Sequence, residues 1–143
     1  MKKANLPLVL FNASVILAGI KSPTGGSGKL LSWSKDKKIK GLISEIILDE
    51  AMRNGPRIGV EPMVVGKEIE KLGIIICAAP NLSVVDKFKK IVIDLGDAHV
   101  LASAEEKKAD FLVTLDKKHL LILQKVVKQF KIISPGELIT TLR

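Results

Sequence analysis

The segment Gly96–Leu123, "GDAHVLASAEEKKADFLVTLDKKHLLIL", decides the fold. Its first half is rich in Ala and Leu, which predicts a helix that Asp97 opens and Asp110 ends. The apolar run Phe111–Leu115 predicts a buried strand, and Asp116 stands just past its end. A helix that leads directly into a buried strand is typical of a parallel sheet with helical crossovers.

The same alternation extends outward in both directions and predicts one domain over residues 1–143. Predicted strands are Leu6–Phe11, Ile39–Ile43, Ile74–Ala78, Phe111–Leu115 and Lys131–Ile133. The segment Ser14–Ile20 is predicted as a short helix or a turn. The other predicted helices, apart from the one that Asp97 opens, are Lys29–Ser34, Glu45–Arg53 with Ser44 as N-cap, Pro62–Leu72, Ser83–Ile93 with Ser83 as N-cap, Leu120–Phe130 and Glu137–Leu142. Because such crossovers are right-handed, we expect an α/β fold: a three-layer α/β/α sandwich around a mostly parallel sheet of four to five strands.

Composition and charge narrow the class of protein. A chain of 143 residues can build one core, and its single Cys77 excludes a disulfide framework or a Cys-rich zinc site. No apolar run reaches the roughly 20 residues of a membrane span, so we expect a cytoplasmic protein with no membrane partner. The net charge is +8, yet the acids concentrate between Glu45 and Asp116 while both ends are basic. This pattern suits a polyanion held against a metal site, or simply lysines on solvated helix surfaces.

Polar side chains stand where several predicted strands end. Asn12 follows the first strand in "LVLFNASVIL" (Leu8–Leu17), Glu50 lies on the helix after the second, and Asp97 and Asp116 flank the fourth. Ligands of such folds bind outside the carboxyl ends of the strands. Clustered carboxylates attract Mg²⁺ or Mn²⁺, whose bound water can attack a phosphodiester. Taken singly, Asp97 could be only an N-cap and Asp116 only a turn residue.

Four stretches of the sequence resemble the PIN domain, a metal-dependent ribonuclease fold of toxin–antitoxin systems and RNA processing. They are "LVLFNASVIL", "SEIILDE", "GDAHVLASAEEKKADFLVTLDKKHLL" and "IISPGELI", in the order of the family. The resemblance implies that Glu50, Asp97 and Asp116 bind Mg²⁺ or Mn²⁺ for RNA cleavage. It also implies that Thr114 and Ser14 support the site, and that a homodimer and an antitoxin protein are possible partners.

The chain departs from the family at Asn12, where a PIN domain has Asp. An amide oxygen can coordinate a cation or accept a hydrogen bond, but it carries no charge. We therefore expect weak or absent nuclease activity, and a non-catalytic module that binds RNA or a protein is the alternative function. Compensation by Asp94 requires that the helix already run through Gly96, which we do not expect, and Asp49 should point elsewhere on its helix.

Several other residues invite functional interpretation. The stretch Ser22–Lys29, "SPTGGSGK", lacks the spacing of a phosphate-binding P-loop, so we interpret it as a flexible loop near the site whose glycines let RNA approach. Lys117 and Lys118 are candidates for phosphate contact. His99 and His119 are expected to pack or to be exposed rather than to bind metal, and Trp33 to pack rather than to stack on a base.

Overall fold

The computed structural model describes residues 5–143, and Met1–Ala4 lie outside the described residues. The strands are β1 (Leu8–Phe11), β2 (Lys40–Ser44), β3 (Ile75–Cys77), β4 (Phe111–Val113) and β5 (Lys131–Ile133). The helices are α1 (Ala13–Lys21), α2 (Gly26–Lys35), α3 (Glu45–Arg53), α4 (Pro62–Lys71), α5 (Leu82–Lys89), α6 (Ala98–Glu106) and α7 (Pro135–Leu142). Short 3-10 segments cover Gly55–Ile58, Leu95–Asp97 and Leu121–Leu123.

The five strands form one parallel sheet in the order β3-β2-β1-β4-β5. Helices α1 to α4 and α7 form one group of mutual contacts, and α5 contacts α6 separately. Buried apolar side chains fill the space between sheet and helices, with Val9, Leu10 and Phe11 of β1 at 0% exposure. A strand buried on both faces needs apolar residues at every position, which the continuous run of β1 supplies. The predicted three-layer α/β/α sandwich is confirmed.

The chain order places a topological switch point between β1 and β4. After β1 the chain builds β2 and β3 on one side, then returns to add β4 and β5 on the other. At such a point the two flanking loops diverge to opposite faces and leave a crevice at the carboxyl edge of the sheet. Asn12 and Thr114 are the residues that follow β1 and β4, so they lie at the mouth of this crevice.

Local signals explain the well-predicted helices. Ser44 is the N-cap of α3, and its Oγ accepts the N–H of Ile47 at 3.1 Å. Ser134 and Glu137 form a reciprocal capping box at the start of α7, where Pro135 is tolerated because it needs no N–H partner. Gly73 follows α4 with φ +66°, a left-handed conformation that only Gly adopts at little cost.

Helix α5 differs from its prediction at both ends. It covers Leu82–Lys89 rather than Ser83–Ile93, and Asn81 rather than Ser83 is the N-cap, since Asn81 Oδ1 accepts the N–H of Ser83. The helix stops early because Ile91 and Ile93 are 38% and 63% exposed and supply no buried face to extend it.

Two other helix predictions are wrong in extent. The segment 120–130 has one 3-10 turn and irregular turns rather than a helix: Leu123, Gln124 and Val126 donate to carbonyls three residues back. These i→i−3 turns bury the same apolar side chains that a helix would, so the sequence pattern cannot separate the two. Helix α6 ends at Glu106 rather than at Asp110.

The stretch predicted as a flexible loop, Ser22–Gly28, is partly helical, because α2 begins at Gly26 rather than at Lys29. Two glycines, Gly28 within the stretch and Gly19 before it, permit close packing. A Cβ at Gly28 would collide with the backbone of Pro23, and one at Gly19 would collide with Leu31. A stretch whose composition predicts a loop is therefore a closely packed connection between α1 and α2.

Candidate metal and phosphodiester site

Asn12 lies at the centre of the crevice, where β1 and β4 end. Its side chain is 8% exposed, and its Nδ2 donates to Thr114 Oγ1 at 2.9 Å and to Ser14 Oγ at 3.3 Å. Ser14 Oγ also accepts the N–H of Leu115 at 3.2 Å. The network fixes the amide across the switch point. Because both hydroxyls can either donate or accept, they would hold a carboxylate at position 12 equally well.

Asp116 is held in place by the turn that follows β4. Its Oδ1 accepts the N–H groups of Lys118 at 3.1 Å and His119 at 2.9 Å, and its own N–H donates to Thr114 Oγ1. His119 Nδ1 lies 3.2 Å from Asp116 Oδ2. The buried Thr114 therefore bonds both Asn12 and the backbone of Asp116, and so couples the ends of β1 and β4.

Asp97 is the most perturbed carboxyl group of the site. Burial, followed by the charges of Asp94 and Asp116, raises the pKa of Asp97 to about 6, while His119 acts in the opposite direction. Its Oδ2 is buried and has no hydrogen-bond partner among the described residues. A carboxylate that is partly desolvated and surrounded by other carboxylates is the arrangement that a divalent cation relieves.

Asp94 lies beside Asp97, contrary to the expectation from sequence. Ligand atoms of Asp94, Asp97 and His119 all lie within 4.8 Å of one another, a spacing that could hold a metal ion. The prediction failed because Leu95–Asp97 forms a 3-10 turn with Asp94 as its N-cap, and not the first turn of an α-helix. Side chains three residues apart eclipse one another in a 3-10 turn.

Glu50 approaches from α3, on the other side of the crevice. Burial raises its pKa, opposed by Arg53 and reinforced by Asp94. The neighbouring His99 is mostly buried, its Nε2 lies 4.0 Å from Glu50 Oε1, and burial lowers its pKa. His99 therefore favours the neutral form, as a packed imidazole beside the acids. Asp49 instead pairs with Arg53 on the exposed side of α3, as expected.

The structure thus gathers Asn12, Ser14, Thr114 and the three predicted acids at the carboxyl edge of the sheet, and adds Asp94 and His119. The signals for the added pair were present as the spacings Asp94-x-x-Asp97 and Asp116-x-x-His119. Lys117 and Lys118 are exposed in the turn beside Asp116. Trp33 packs against the core, with Lys29 Nζ 5.8 Å from its ring centroid, as expected for a structural residue.

Comparison with known proteins assigns this fold to a class of small α/β domains. VapBC2 from Rickettsia felis, solved bound to a DNA fragment from the promoter, superposes with a TM-score of 0.66 at 14% identity over 89% of this chain and 98% of that chain. PAE2754 from Pyrobaculum aerophilum superposes with a TM-score of 0.61 at 20% identity over 95% of each chain. No curated protein sequence matches this chain.

The family follows from the sequence itself, since the family model of the PIN domain matches residues 8–118. The chain belongs to the PIN domain family. The matched range contains Asn12, Glu50, Asp97 and Asp116. Among residues 5–143, no helix combines the length and the apolar character needed to cross a membrane.

Proposed function

We propose that this chain is an endoribonuclease that hydrolyses RNA phosphodiester bonds with Mg²⁺ or Mn²⁺, and that Asn12 makes it slower than a relative with Asp at this position. The observation that carries the proposal is the state of Asp97. Its carboxyl group has a buried oxygen without a partner in residues 5–143, and a pKa of about 6 among neighbouring acids. Such an unfavourable arrangement in the free protein is typical of a cation site.

The donor set fits a hard divalent cation. Glu50, Asp97 and Asp116 would supply carboxylate oxygens, and Asp94 and His119 stand close enough to Asp97 to contribute. An imidazole in the set favours Mn²⁺ over Mg²⁺, because Mg²⁺ selects oxygen ligands more strictly. A bound cation supplies Lewis-acid activation of water and neutralises charge on the phosphate.

The protein's own groups provide orientation. Two backbone N–H groups fix Asp116 Oδ1, so Oδ2 keeps one direction beside His119. Thr114 and Ser14 hold the side chain at position 12 against the cluster. Lys117 and Lys118 offer positive charge next to Asp116, where the phosphate of the substrate would lie. Asn12 keeps the geometry of this arrangement but lacks the negative charge that would strengthen cation binding.

Single-turnover cleavage of a labelled RNA in excess Mn²⁺ tests the proposal. We expect slow cleavage by the natural chain and at least about tenfold faster cleavage by Asn12→Asp, because the carboxylate adds a charged ligand. The double variant Asn12→Asp with Asp97→Asn is the matched control and should be silent. Absence of cleavage by Asn12→Asp, with the fold intact and Mn²⁺ present, would refute the nuclease proposal.

A second candidate function is a non-catalytic module that binds RNA or a protein partner. The uncharged Asn12, whose Nδ2 donates to both Thr114 and Ser14, favours it. In that case both the natural chain and Asn12→Asp stay silent in Mn²⁺, while RNA or partner binding persists.

We further propose a toxin–antitoxin context, since VapBC2 of Rickettsia felis shares the fold. An antitoxin protein would be the partner of this chain, and a homodimer its assembly. A small reading frame adjacent to the gene, whose product co-purifies with this chain and suppresses RNA cleavage, is the expected result. The lack of any such neighbour in the genome would remove the support for this context.

A further inference from the structure

Lysines gather at the edge of the sheet opposite to the candidate metal site. The amino ends of the strands lie at this edge, where helices α2 and α6 lead back into β2 and β4. Six exposed lysines line cavities there: Lys37, Lys38, Lys40, Lys108, Lys128 and Lys131. This group of positive charges is separate from the carboxylate cluster at the other edge.

Three cavities follow one another along this edge. The first, of about 580 Å³, lies at the starts of β1, β2 and β3 and is lined by Lys37 and Lys40. The second, of about 350 Å³, is lined by Lys38 and Trp33 and shares Ile39 with the first. The third, of about 560 Å³, lies at the starts of β4 and β5 and is lined by the other three lysines. We call this row of cavities the amino-edge groove.

The lysines of the groove keep their charge available for a ligand. Among residues 5–143, none of the six side chains forms an ion pair with a carboxylate. The two acids that line the third cavity already have partners, since Glu105 binds Lys87 and Gln129, and Asp110 accepts the N–H of Leu8. The groove therefore retains an excess of positive charge, which attracts anions.

Favourable interactions with helix ends explain only some of these lysines. Cations are stabilising near a helix C-terminus, and Lys37 and Lys108 follow the ends of α2 and α6. Both have a left-handed backbone, with φ of +60° and +57°, a conformation that Gly adopts at lower cost. Lys40 and Lys131 begin β2 and β5, and Lys128 lies in the irregular segment before β5, so no helix end accounts for these three. Binding of an anion along the groove accounts for all six.

The length of the row indicates a polyanion rather than one small anion. Lys40 is paired with Leu8 of β1, and Lys131 is paired with Phe111 of the adjacent β4. Three interstrand spacings therefore separate the backbones of Lys40 and Lys131, or about 14 Å. A row of this length matches consecutive phosphates of a nucleic-acid strand. The apolar side chains that also line the cavities suit the ribose and base of such a strand.

We propose that the amino-edge groove binds single-stranded RNA through its phosphates, at a surface distinct from the candidate metal site. The inference rests on the proposed function in taking RNA as the nucleic acid. Strand β1 leads from Leu8 at the groove to Asn12 at the site, over about 13 Å. The carboxylate cluster repels phosphate in the metal-free protein, so the groove supplies the attraction that holds the strand. Because it contacts phosphates, it contributes affinity without selecting a base.

Binding of a labelled single-stranded RNA of about 20 nucleotides, in EDTA, tests the groove on the full chain. Lys40→Gln with Lys131→Gln removes two charges of the groove at exposed positions, so this double variant should fold. Lys21→Gln with Lys67→Gln removes the same charge at two exposed lysines that line none of the three cavities, and it is the matched control.

Fluorescence anisotropy at low salt should show about tenfold weaker binding for the groove variant and less than about twofold for the control. The slope of log Kobs against log salt concentration should fall in magnitude by about 1.4 in the groove variant, since each lost phosphate contact removes about 0.7. The slope of the control should stay that of the natural chain. Equal affinities and slopes for the two double variants, or no RNA binding by the natural chain, would overturn the proposal.

Trp33 provides a second readout, because the chain contains one Trp and no Tyr. Since Trp33 lines the second cavity, unlabelled RNA should change its emission with the same midpoint as in anisotropy. Vesicles of equal parts phosphatidylcholine and phosphatidylserine should leave the emission unchanged. If the vesicles change it and the RNA does not, the groove binds a membrane surface and the RNA assignment is overturned.

These results separate the groove from the nuclease proposal. If Asn12→Asp fails to cleave in Mn²⁺ while the groove variant still binds RNA more weakly than its control, the groove stands and the nuclease proposal falls. If Asn12→Asp cleaves while the groove variant binds RNA like its control, the reverse holds.

Discussion

Asp97→Asn should stabilise the metal-free protein at neutral pH, although it removes a carboxylate of the candidate metal site. In the folded chain the pKa of Asp97 is raised from 3.8 to about 6, chiefly by burial and by the charges of Asp94 and Asp116. At pH 7.5 the carboxyl group of Asp97 is ionised in both states, and the ionised form has a higher free energy in the folded protein than in the unfolded chain. A neutral amide of the same shape removes this penalty.

The magnitude follows from the pKa difference. A rise from 3.8 to about 6 corresponds to at most about 3 kcal/mol, since each unit is worth about 1.4 kcal/mol. Asp97 is only partly buried, so solvent screening reduces the expected gain to about 1 kcal/mol. For a chain of this size that gain raises Tm by about 4 °C.

The sign of the pH dependence is fixed by the direction of the shift. Because the folded-state pKa lies above the unfolded one, the folded chain binds more protons between pH 3.8 and about 6, and stability falls as pH rises through this window. The gain in the free energy of unfolding from Asp97→Asn should therefore be near zero below pH 4 and complete above pH 6.5. Asp36→Asn makes the same substitution at an exposed acid at the end of α2 and is the matched control.

Urea unfolding in EDTA across this pH range measures the effect, and a second series in excess Mn²⁺ should invert it. Binding to the folded state at a hundred times Kd adds about 2.7 kcal/mol to the natural chain and less to the variant. The reasoning is refuted if Asp97→Asn is less stable than the natural chain at pH 7.5 in EDTA, or if its advantage is the same at pH 4.

Three further predictions follow from local geometry. Asn12→Asp should raise Mn²⁺ affinity at least about tenfold by calorimetry, and unchanged affinity would argue against a ligand at this position. Ser44→Ala removes the cap of α3 and should cost about 1 kcal/mol in urea unfolding. Gly28→Ala should destabilise by more than about 1 kcal/mol because its Cβ would strike Pro23, whereas Gly136→Ala has open space and should be near neutral; equal effects would contradict this packing.

The sequence was sufficient to predict those helices and strands whose signals lie within a few neighbouring residues. Ser44 and the pair Ser134 and Glu137 mark helix starts by side-chain hydrogen bonds that need no distant partner. The continuous apolar run of β1 indicates a strand buried on both faces. These helix starts and this strand can be predicted because each signal lies in residues that are adjacent in the chain. Strands and helices that alternate along the chain then predict the parallel sheet.

Prediction failed where burial or backbone geometry is decided by distant residues. The turns of 120–130 bury Leu120, Leu123 and Val127 as a helix would, so their spacing could not reveal the irregular backbone. The sequence does not predict Asp94 in the site, because an α-helix through Gly96 is not expected and the 3-10 turn that brings Asp94 to Asp97 has no separate signal.

By itself, the sequence determined the class of fold and predicted that Asn12, Glu50, Asp97 and Asp116 lie near one edge of the sheet, since alternating strands and helices bring strand ends together there. The tertiary structure decided how these residues meet. Strand order puts Asn12 against Thr114 across the switch point, and the 3-10 turn adds Asp94. Such features depend on contacts between segments far apart in the chain, which local sequence patterns do not encode.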